Sequence, residues 1–210
     1  MQDFSFHIID LVENSLNAKA TEILVEIKED NENNLFVFEL TDNGFGIDRH
    51  ILKKITNPFT TTRTTRDVGL GLTLFNETVN ECDGEFFIES KRRNGTKVKA
   101  QFKYDHINRD PLGDIADTIA MLIITNQNVD FVYRHTTDHG VYEIDSGEIK
   151  EVLEDSVSLS NPKIVRFIRN ELVEGLRKIG ATFGYVFDEE TELPVTGKFL
   201  RKTYTKDWSP

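Results

Sequence analysis

An amphipathic stretch at residues 6–20, FHIIDLVENSLNAKA, constrains the fold most, because its two faces differ sharply in chemistry. At about 100° per residue, a helix here has one apolar stripe. That stripe contains Ile8, Ile9, Val12, Leu16 and Ala20. The opposite stripe carries only short polar side chains, namely His7, Asp10, Asn14 and Asn17. Surface helices usually have a looser polar face that includes Lys and Glu. We therefore expect a helix that packs on a core and presents this stripe to a ligand or to solvent.

Composition indicates a soluble globular protein of one large domain or two small ones. The chain has 210 residues, 38% of them hydrophobic and 29% charged, and a formal net charge of −11. This charge argues against nucleic acid and anionic membranes as partners. The N-terminus lacks the pattern of a signal peptide, and the apolar runs are too short to span a bilayer. Cys82 is the only cysteine, which favours a cytoplasmic location.

Two segments of strand character follow the helix, at residues 22–28 and 35–41, with the turn sequence DNENN between them. The second leads into DNGFGI at residues 42–47. Two glycines spaced in this way allow a tight bend and leave an open wall for a flat ligand. Asp42 can accept a hydrogen bond from an exocyclic amine there. An ordinary DNG turn is the alternative interpretation.

A second glycine-containing segment, VGLGL at residues 68–72, follows a short predicted helix at 49–55 and a polar stretch rich in threonine and arginine. A glycine-rich loop that enters a helix leaves N–H groups free to bind an anion. A disordered loop before an ordinary helix, which ends near Glu81, is the alternative. Strands at residues 85–90 and 96–103 complete a mixed sheet with helices on one face.

Residues 5–103 resemble the nucleotide-binding domain of the GHKL superfamily, which includes DNA gyrase, the heat-shock chaperone of ninety kilodaltons, histidine kinases and MutL. Residues 10–18 look like its N-box, in a form close to that of MutL, and residues 42–47 look like its first glycine box. NPFTTT at 57–62 resembles the phenylalanine box of histidine kinases. Gly69 to Leu72 resemble the second glycine box, and Gly95-Thr96 begin the last strand. The resemblance implies an α+β, Bergerat-type two-layer sandwich over residues 1–105.

The resemblance also implies a site for ATP and Mg²⁺. Asn14 would bind Mg²⁺, Asp42 would accept a hydrogen bond from the adenine amino group, and Thr96 would support that contact through a water. The glycines at 44 and 46 would let adenine approach the backbone. The other implied contacts are Asn17 and Ile47, and around the phosphates Thr60, Thr61, Thr62, Arg63, Arg66, Gly69, Leu70, Gly71 and Leu72, with residues 60–68 as a mobile lid.

The sequence departs from the family at the catalytic acid. In ATPases of this superfamily a Glu four residues before the metal-binding Asn activates water, whereas this chain has Asp10, which is one methylene shorter. Histidine kinases need no such water, because a histidine on helices before the domain accepts the phosphoryl group. Since the sequence begins nine residues before Asp10, we expect any acceptor to lie on another protein or another copy. We expect His7 to be a supporting or helix-entry residue in preference to an acceptor. Asp67 and Val68 also replace the small residues usual before the second glycine box.

The second half resembles no family that we recognise, and we expect a small α/β domain over residues 110–210 for partner docking or dimerisation. Asp110-Pro111 predicts the start of a helix to about Asn126, and strands at 129–136 and 140–145 predict a hairpin. A short helix at 146–155, a longer one from Asn161 to about Gly180, a strand at 182–187 and a basic tail follow. His135 and His139 are metal-ligand types, but a turn explains their spacing better.

Three functions remain open at this point. The first is a protein kinase that phosphorylates a partner in trans, favoured by the kinase-like phenylalanine and second glycine boxes. The second is an ATPase switch that closes its lid and changes a dimer interface, favoured by the MutL-like N-box and Asp10. The third is a non-catalytic, ATP-loaded subunit of a larger complex, favoured by the missing acceptor helices. A homodimer is compatible with each of the three.

Overall fold

The structure is a computed structural model that describes residues 3–55, 70–153, 158–182 and 203–204. Along the described chain, pairs of consecutive strands are separated by one or two helices. The elements are α1 (Phe4–Asn17), β1 (Glu22–Asp30), β2 (Leu35–Asp42), α2 (Arg49–Ile55), α3 (Leu70–Glu81), β3 (Glu85–Ser90), β4 (Thr96–Phe102), α4 (Ile115–Thr125), β5 (Asp130–Thr137), β6 (Gly140–Asp145), α5 (Ser146–Leu153), α6 (Pro162–Lys178) and β7 (Thr203–Tyr204).

The described strands form one mixed sheet in the order β3-β4-β2-β1-β5-β6-β7. Neighbouring strands are antiparallel except for β1 and β5, which are parallel. A parallel pair needs a long crossover connection, and here the whole segment between β1 and β5 supplies it. This arrangement places the carboxyl end of β2 beside the beginning of β4, where Asp42 pairs with Thr96.

The core lies between one face of the sheet and the helices. Strand β2 alternates strictly between buried and half-buried residues, and its buried Phe36 and Phe38 face the helices. Phe4 of α1 packs edge-on against both rings and against Phe75 of α3, at centroid distances of 5.3 to 5.7 Å. Such edge-to-face contacts add to the free energy gained by burial. This aromatic cluster fixes α1 and α3 side by side above the sheet.

The opposite face of the sheet is polar and carries a row of ion pairs across five strands. Lys97 lies 2.5 Å from Glu39, and Arg134 lies 2.7 Å from both Glu26 and Glu143. A sheet covered on one face only shows this alternation of apolar and polar residues. The described residues therefore form a two-layer α+β sandwich, as the sequence predicts. Among them, no helix combines the length and the apolar character that a bilayer crossing requires.

The second half of the chain continues the same sheet. Strand β5 pairs with β1 over seven residues, from Glu22 with Asp130 to Lys28 with Thr136. Helix α6 packs on β6 so closely that a Cβ atom on Gly175 would lie 2.1 Å from the ring of Tyr142. The expected boundary at residues 105–110 is thus not a break in the sheet, and a separate second domain stays a prediction.

Several boundaries in the second half differ from the expected ones. Helix α4 begins at Ile115 and not near Asp110, because Gly113 has a φ of +74° and the Asp114 side chain accepts from the Asp117 N–H. Asn161 caps α6 as predicted. The strand expected at 182–187 and most of the basic tail lie outside the described residues, apart from Thr182 and β7, which pairs with Val141 and Tyr142.

Candidate functional site

Asp42 is the centre of the candidate site, at the carboxyl end of β2. It is buried, with 7% of its surface exposed. The Ser15 hydroxyl on α1 donates to Oδ2 at 2.8 Å, and the Gly44 N–H donates to Oδ1 at 2.8 Å. A buried carboxylate must be hydrogen-bonded to be tolerated. Two donors thus hold the carboxylate in one orientation and leave it further lone pairs for a ligand.

Three glycines shape the wall beside Asp42. Gly95 has a φ of +81°, and a Cβ atom on it would lie 1.9 Å from the Asp42 carbonyl oxygen. Gly46 has a φ of +70°, and its Cβ would lie 2.4 Å from the Lys91 carbonyl oxygen. Only glycine fits such a backbone at these distances. Gly44 is also tight, since a Cβ there would meet the Ala18 carbonyl oxygen at 2.8 Å. The backbones of the loop at 42–47 and of the β3–β4 hairpin are therefore in close contact.

Ser90, the last residue of β3, joins three parts of this wall. The Ile47 N–H donates to its Oγ at 2.7 Å, and the Ser90 hydroxyl donates to the Gly95 carbonyl oxygen at 3.0 Å. The Thr96 Oγ1 lies 3.0 Å from the Ser90 Oγ. Sequence reasoning missed both Ser15 and Ser90. Their partners lie far away in sequence or across a hairpin, and the only available signal was the position of Ser15 directly after Asn14.

Gly71, at the beginning of α3, lies directly over Asp10 and Asn14 of α1. A Cβ atom on Gly71 would be 2.9 Å from the Asp10 Cβ and 3.5 Å from the Asn14 Nδ2. The side chains of Asp10 and Asn14 are half-buried, and neither makes a hydrogen bond or an ion pair with the described part of the chain. The structure thus brings Gly71 against Asp10 and Asn14, although it follows Asn14 by 57 positions in the sequence. Asn17 is exposed at the end of α1, and Leu72 is buried in the core.

His7 lies on the same stripe as Asp10 but is buried against the core, so the prediction that the whole stripe faces a ligand or solvent is wrong at this position. It is 4% exposed, packs against Phe4 and Phe75, and has its Nε2 3.3 Å from the Thr78 hydroxyl and 3.6 Å from Asp110. Burial lowers the pKa of His7, although Asp110 and Asp10 oppose that shift. The real core face of α1 also includes Leu11 and Ser15, while Ile9 and Leu16 are only half-buried.

His135 is fully buried and has a structural role. Its Nε2 lies 2.8 Å from Glu29, and its Nδ1 lies 2.6 Å from the Tyr133 hydroxyl. His139 lies at the turn after β5, against Gly180. Among the described residues no group of three or more His, Cys, Asp or Glu side chains is arranged for a metal ion. His135 thus lies within β5 and His139 at the turn that follows it, and the absence of a metal site at these two histidines stays a prediction.

Part of the predicted phosphate region lies outside the described residues. This part comprises the phenylalanine box at 57–62, with the predicted contacts Thr60, Thr61 and Thr62, and the further predicted contacts Arg63, Arg66 and Gly69. Leu70 is the first residue of α3. The predicted contacts that the structure does bring together are Asp10, Asn14 and Gly71 on one side, and Asp42, Gly44, Gly46, Ile47 and Thr96 on the other.

Comparison with known proteins identifies the family of this region. Residues 5–106 match the family model of the histidine kinase-, DNA gyrase B-, and HSP90-like ATPases. These residues form a domain of that family. The resemblance predicted from the five sequence boxes is therefore confirmed for the first half of the chain, and Asp42, Asn14 and Gly71 lie within the matched ATPase domain.

Two curated relatives share the ATPase domain. One from Shewanella frigidimarina (strain NCIMB 400), whose name describes a sensor protein, is 36% identical over 97 residues, which cover 45% of this chain and 15% of that protein. The autoinducer 2 sensor kinase/phosphatase LuxQ of Vibrio harveyi is 39% identical over 70 residues, which cover 31% of this chain and 8% of that one. The chain thus spans less than a sixth of the length of these relatives.

Two solved structures are similar at a more distant level. The Aquifex aeolicus MutL ATPase domain complexed with ADP is 16% identical with a TM-score of 0.42, over 80% of this chain and 67% of that one. The catalytic domain of the histidine kinase ThkA is 24% identical with a TM-score of 0.34, over 49% of this chain and 67% of that one. The fold assignment comes from the sheet and the family match, and these likenesses add no weight to it.

Proposed function

We propose that this chain binds Mg²⁺–ATP at the Asp42 site and transfers the γ-phosphoryl group to a partner protein in trans. The fixed Asp42 carboxylate carries this proposal. Ser15 and the Gly44 N–H hold it, and glycines open the wall beside it. A buried group that only accepts hydrogen bonds favours a base with an exocyclic amine, as adenine has. A guanine carbonyl in the same place would meet a second acceptor.

The phosphates would extend from this pocket toward α1 and the first turn of α3. The N-terminus of a helix attracts anions, and α3 begins at Leu70, beside Asp10 and Asn14. The residues present fit Mg²⁺, because the ion prefers oxygen ligands and takes most of its other ligands from phosphates and water. Asn14 would supply one side-chain oxygen. Arg63, Arg66 and the threonines at 60–62 would contact the phosphates.

Kinase activity is supported by the name of one curated relative, the sensor kinase/phosphatase LuxQ, and by the kinase-like box at residues 57–62. The test is to incubate the purified chain with γ-labelled ATP and an extract of its native cell. We expect a labelled partner whose label disappears with Asn14→Ala and persists with Asn80→Ala, a matched change at an exposed asparagine of α3. Acid treatment of the labelled partner distinguishes phosphohistidine, which loses its label in acid, from phosphoserine and phosphothreonine, which keep it. ATP binding without any labelled partner would refute transfer.

Slow ATP hydrolysis, as in a conformational switch, is the second candidate. One observation favours it: Asp10 lies one helical turn before Asn14, and no hydrogen bond or ion pair joins its carboxylate to another described residue. A free carboxylate beside the metal site can orient water as a general base. In that case Asp10→Asn would lower steady hydrolysis by the purified chain by about a hundredfold or more. Equal rates for the variant and the native protein would refute this role.

A further inference from the structure

Ser90, Thr96 and Asp42 form one row across three neighbouring strands. Ser90 of β3 pairs with Thr96 of β4, and Thr96 pairs with Asp42 of β2. Residues paired directly across a sheet point to the same face. Thr96 and Asp42 are 8% and 7% exposed, and both face the helices. The row therefore lies along the floor of the proposed adenine pocket, at the end of the sheet.

The hydrogen bonds of Ser90 use its full capacity. A serine hydroxyl has one proton to donate and two lone pairs that accept. The carbonyl oxygen of Gly95, 3.0 Å away, can only accept, and so it takes the proton of Ser90. The Ile47 N–H, 2.7 Å away, can only donate, and so it occupies one lone pair. The second lone pair then faces the Thr96 hydroxyl at 3.0 Å.

This arrangement decides the direction of the hydrogen bond between Ser90 and Thr96. With the Ser90 proton directed to Gly95, the Thr96 hydroxyl must donate to Ser90. The Thr96 oxygen is then left with lone pairs only. Asp42, whose oxygens accept from Ser15 and Gly44, presents only acceptors as well. The floor of the pocket thus accepts hydrogen bonds at two adjacent positions and offers no side-chain donor from either residue.

We infer that Ser90 is a positioning residue for base selectivity, because it holds the Thr96 hydroxyl as a pure acceptor. This inference rests on the proposed nucleotide site. Ser90 itself does not touch the base; it acts through Thr96. An acceptor-only floor favours the amino group of adenine, directly or through a water, and disfavours a base with a carbonyl there. Without Ser90, the Thr96 hydroxyl rotates and donates, so the floor accepts either kind of base.

The test compares the dissociation constants of Mg²⁺–ATP and Mg²⁺–ITP by isothermal titration calorimetry. ITP carries a carbonyl oxygen where ATP carries the amino group. With Ser90→Ala we expect the preference for ATP over ITP to fall about three- to tenfold, the size of one redirected hydrogen bond. Ser90→Thr keeps the hydroxyl and should retain the native preference. Ser158→Ala, at an exposed serine, is the control and should change neither constant.

Thr96→Val tests the same assignment without touching Ser90. It keeps the shape of the side chain, removes the acceptor, and should lower the preference to the same extent as Ser90→Ala. The double variant should show no further loss, because the two residues act as one unit. If Ser90→Ala weakens both nucleotides equally, or if losses in the double variant add, the assignment is wrong. If the native chain binds neither nucleotide, the proposed function itself fails, and the assignment with it.

Discussion

Replacing Gly71 with alanine should damage the site more than it damages the fold. The new Cβ would lie 2.9 Å from the Asp10 Cβ, whereas carbon atoms pack best at about 3.5 to 4.0 Å. Helix α1 or α3 must therefore shift by about half an ångström or more. Overpacking of this kind costs about 1 to 3 kcal/mol, and alanine in place of glycine in a helix returns about 1 kcal/mol. The free energy of unfolding should fall by about 0 to 2 kcal/mol.

The effect on the binding of Mg²⁺–ATP should be larger, because the shift moves Asp10 and Asn14 away from the phosphates. A misplacement approaching 1 Å can reduce a rate by about a hundredfold. Urea unfolding measures the first effect, and calorimetric titration with ATP in the presence and absence of Mg²⁺ measures the second. Gly147→Ala, in the first turn of α5, is the matched control, because its Cβ would meet only the ends of two side chains, Asp145 at 3.1 Å and Asp130 at 3.5 Å. Native-like Mg²⁺-dependent binding by Gly71→Ala would refute the proposal that Gly71 lies over the Mg²⁺-binding Asn14.

Two further predictions concern the second half of the sheet. Gly175→Ala should destabilise the chain by about 3 kcal/mol or prevent folding, because its Cβ would lie 2.1 Å from the Tyr142 ring inside the α6–β6 contact; urea unfolding measures the loss, and a native midpoint would contradict the packing. Burial of Glu29 would raise its pKa, but hydrogen bonds from His135 and from the Thr182 N–H outweigh burial and hold the pKa below its ordinary 4.5. Glu29 therefore stabilises the fold above about pH 4.5, and this contribution is lost as the pH falls through the lowered pKa. In Glu29→Gln the acid-induced decrease of the unfolding free energy should be shallower than in the native chain or in Glu151→Gln; identical pH profiles would contradict this role.

The sequence predicts the first half of the fold well because its signals are local. Alternating residues define β1 and β2, and α2 has the predicted bounds of Arg49–Ile55. The glycine boxes require particular backbone conformations, so Gly46 and Gly95 are where the motifs place them. These constraints act over a few residues, and a periodicity or a short motif records them.

The features that sequence reasoning misses depend on contacts between distant residues. The parallel pairing of β1 with β5 joins residues about a hundred positions apart, and no local pattern encodes it. His7 shares a helical stripe with Asp10, but the adjacent α3 and the connection that carries Asp110 cover it. Asp110 contacts His7 and does not cap α4, so the N-cap signal at Asp110-Pro111 was misleading. Ser15 and Ser90 gain their roles only when the strands and α1 are assembled.

The most direct test of the nucleotide site is the effect of Asp42→Asn on ATP binding. Asparagine keeps the size of the side chain but replaces one acceptor oxygen with an amide NH2 group. This group is a donor, as is the amino group of adenine that it would face. Calorimetric titration of the native chain with Mg²⁺–ATP should show one site. The variant should bind Mg²⁺–ATP at least about tenfold more weakly, since it loses a hydrogen bond to a charged group worth about 1.5 to 3 kcal/mol. Its melting temperature should stay close to the native value, because the Gly44 N–H can still donate to the remaining oxygen and the Ser15 hydroxyl can accept from the new amide group while it donates to the Leu11 carbonyl oxygen. Equal affinity of the two proteins for Mg²⁺–ATP would contradict the assignment of Asp42 as the residue that recognises adenine.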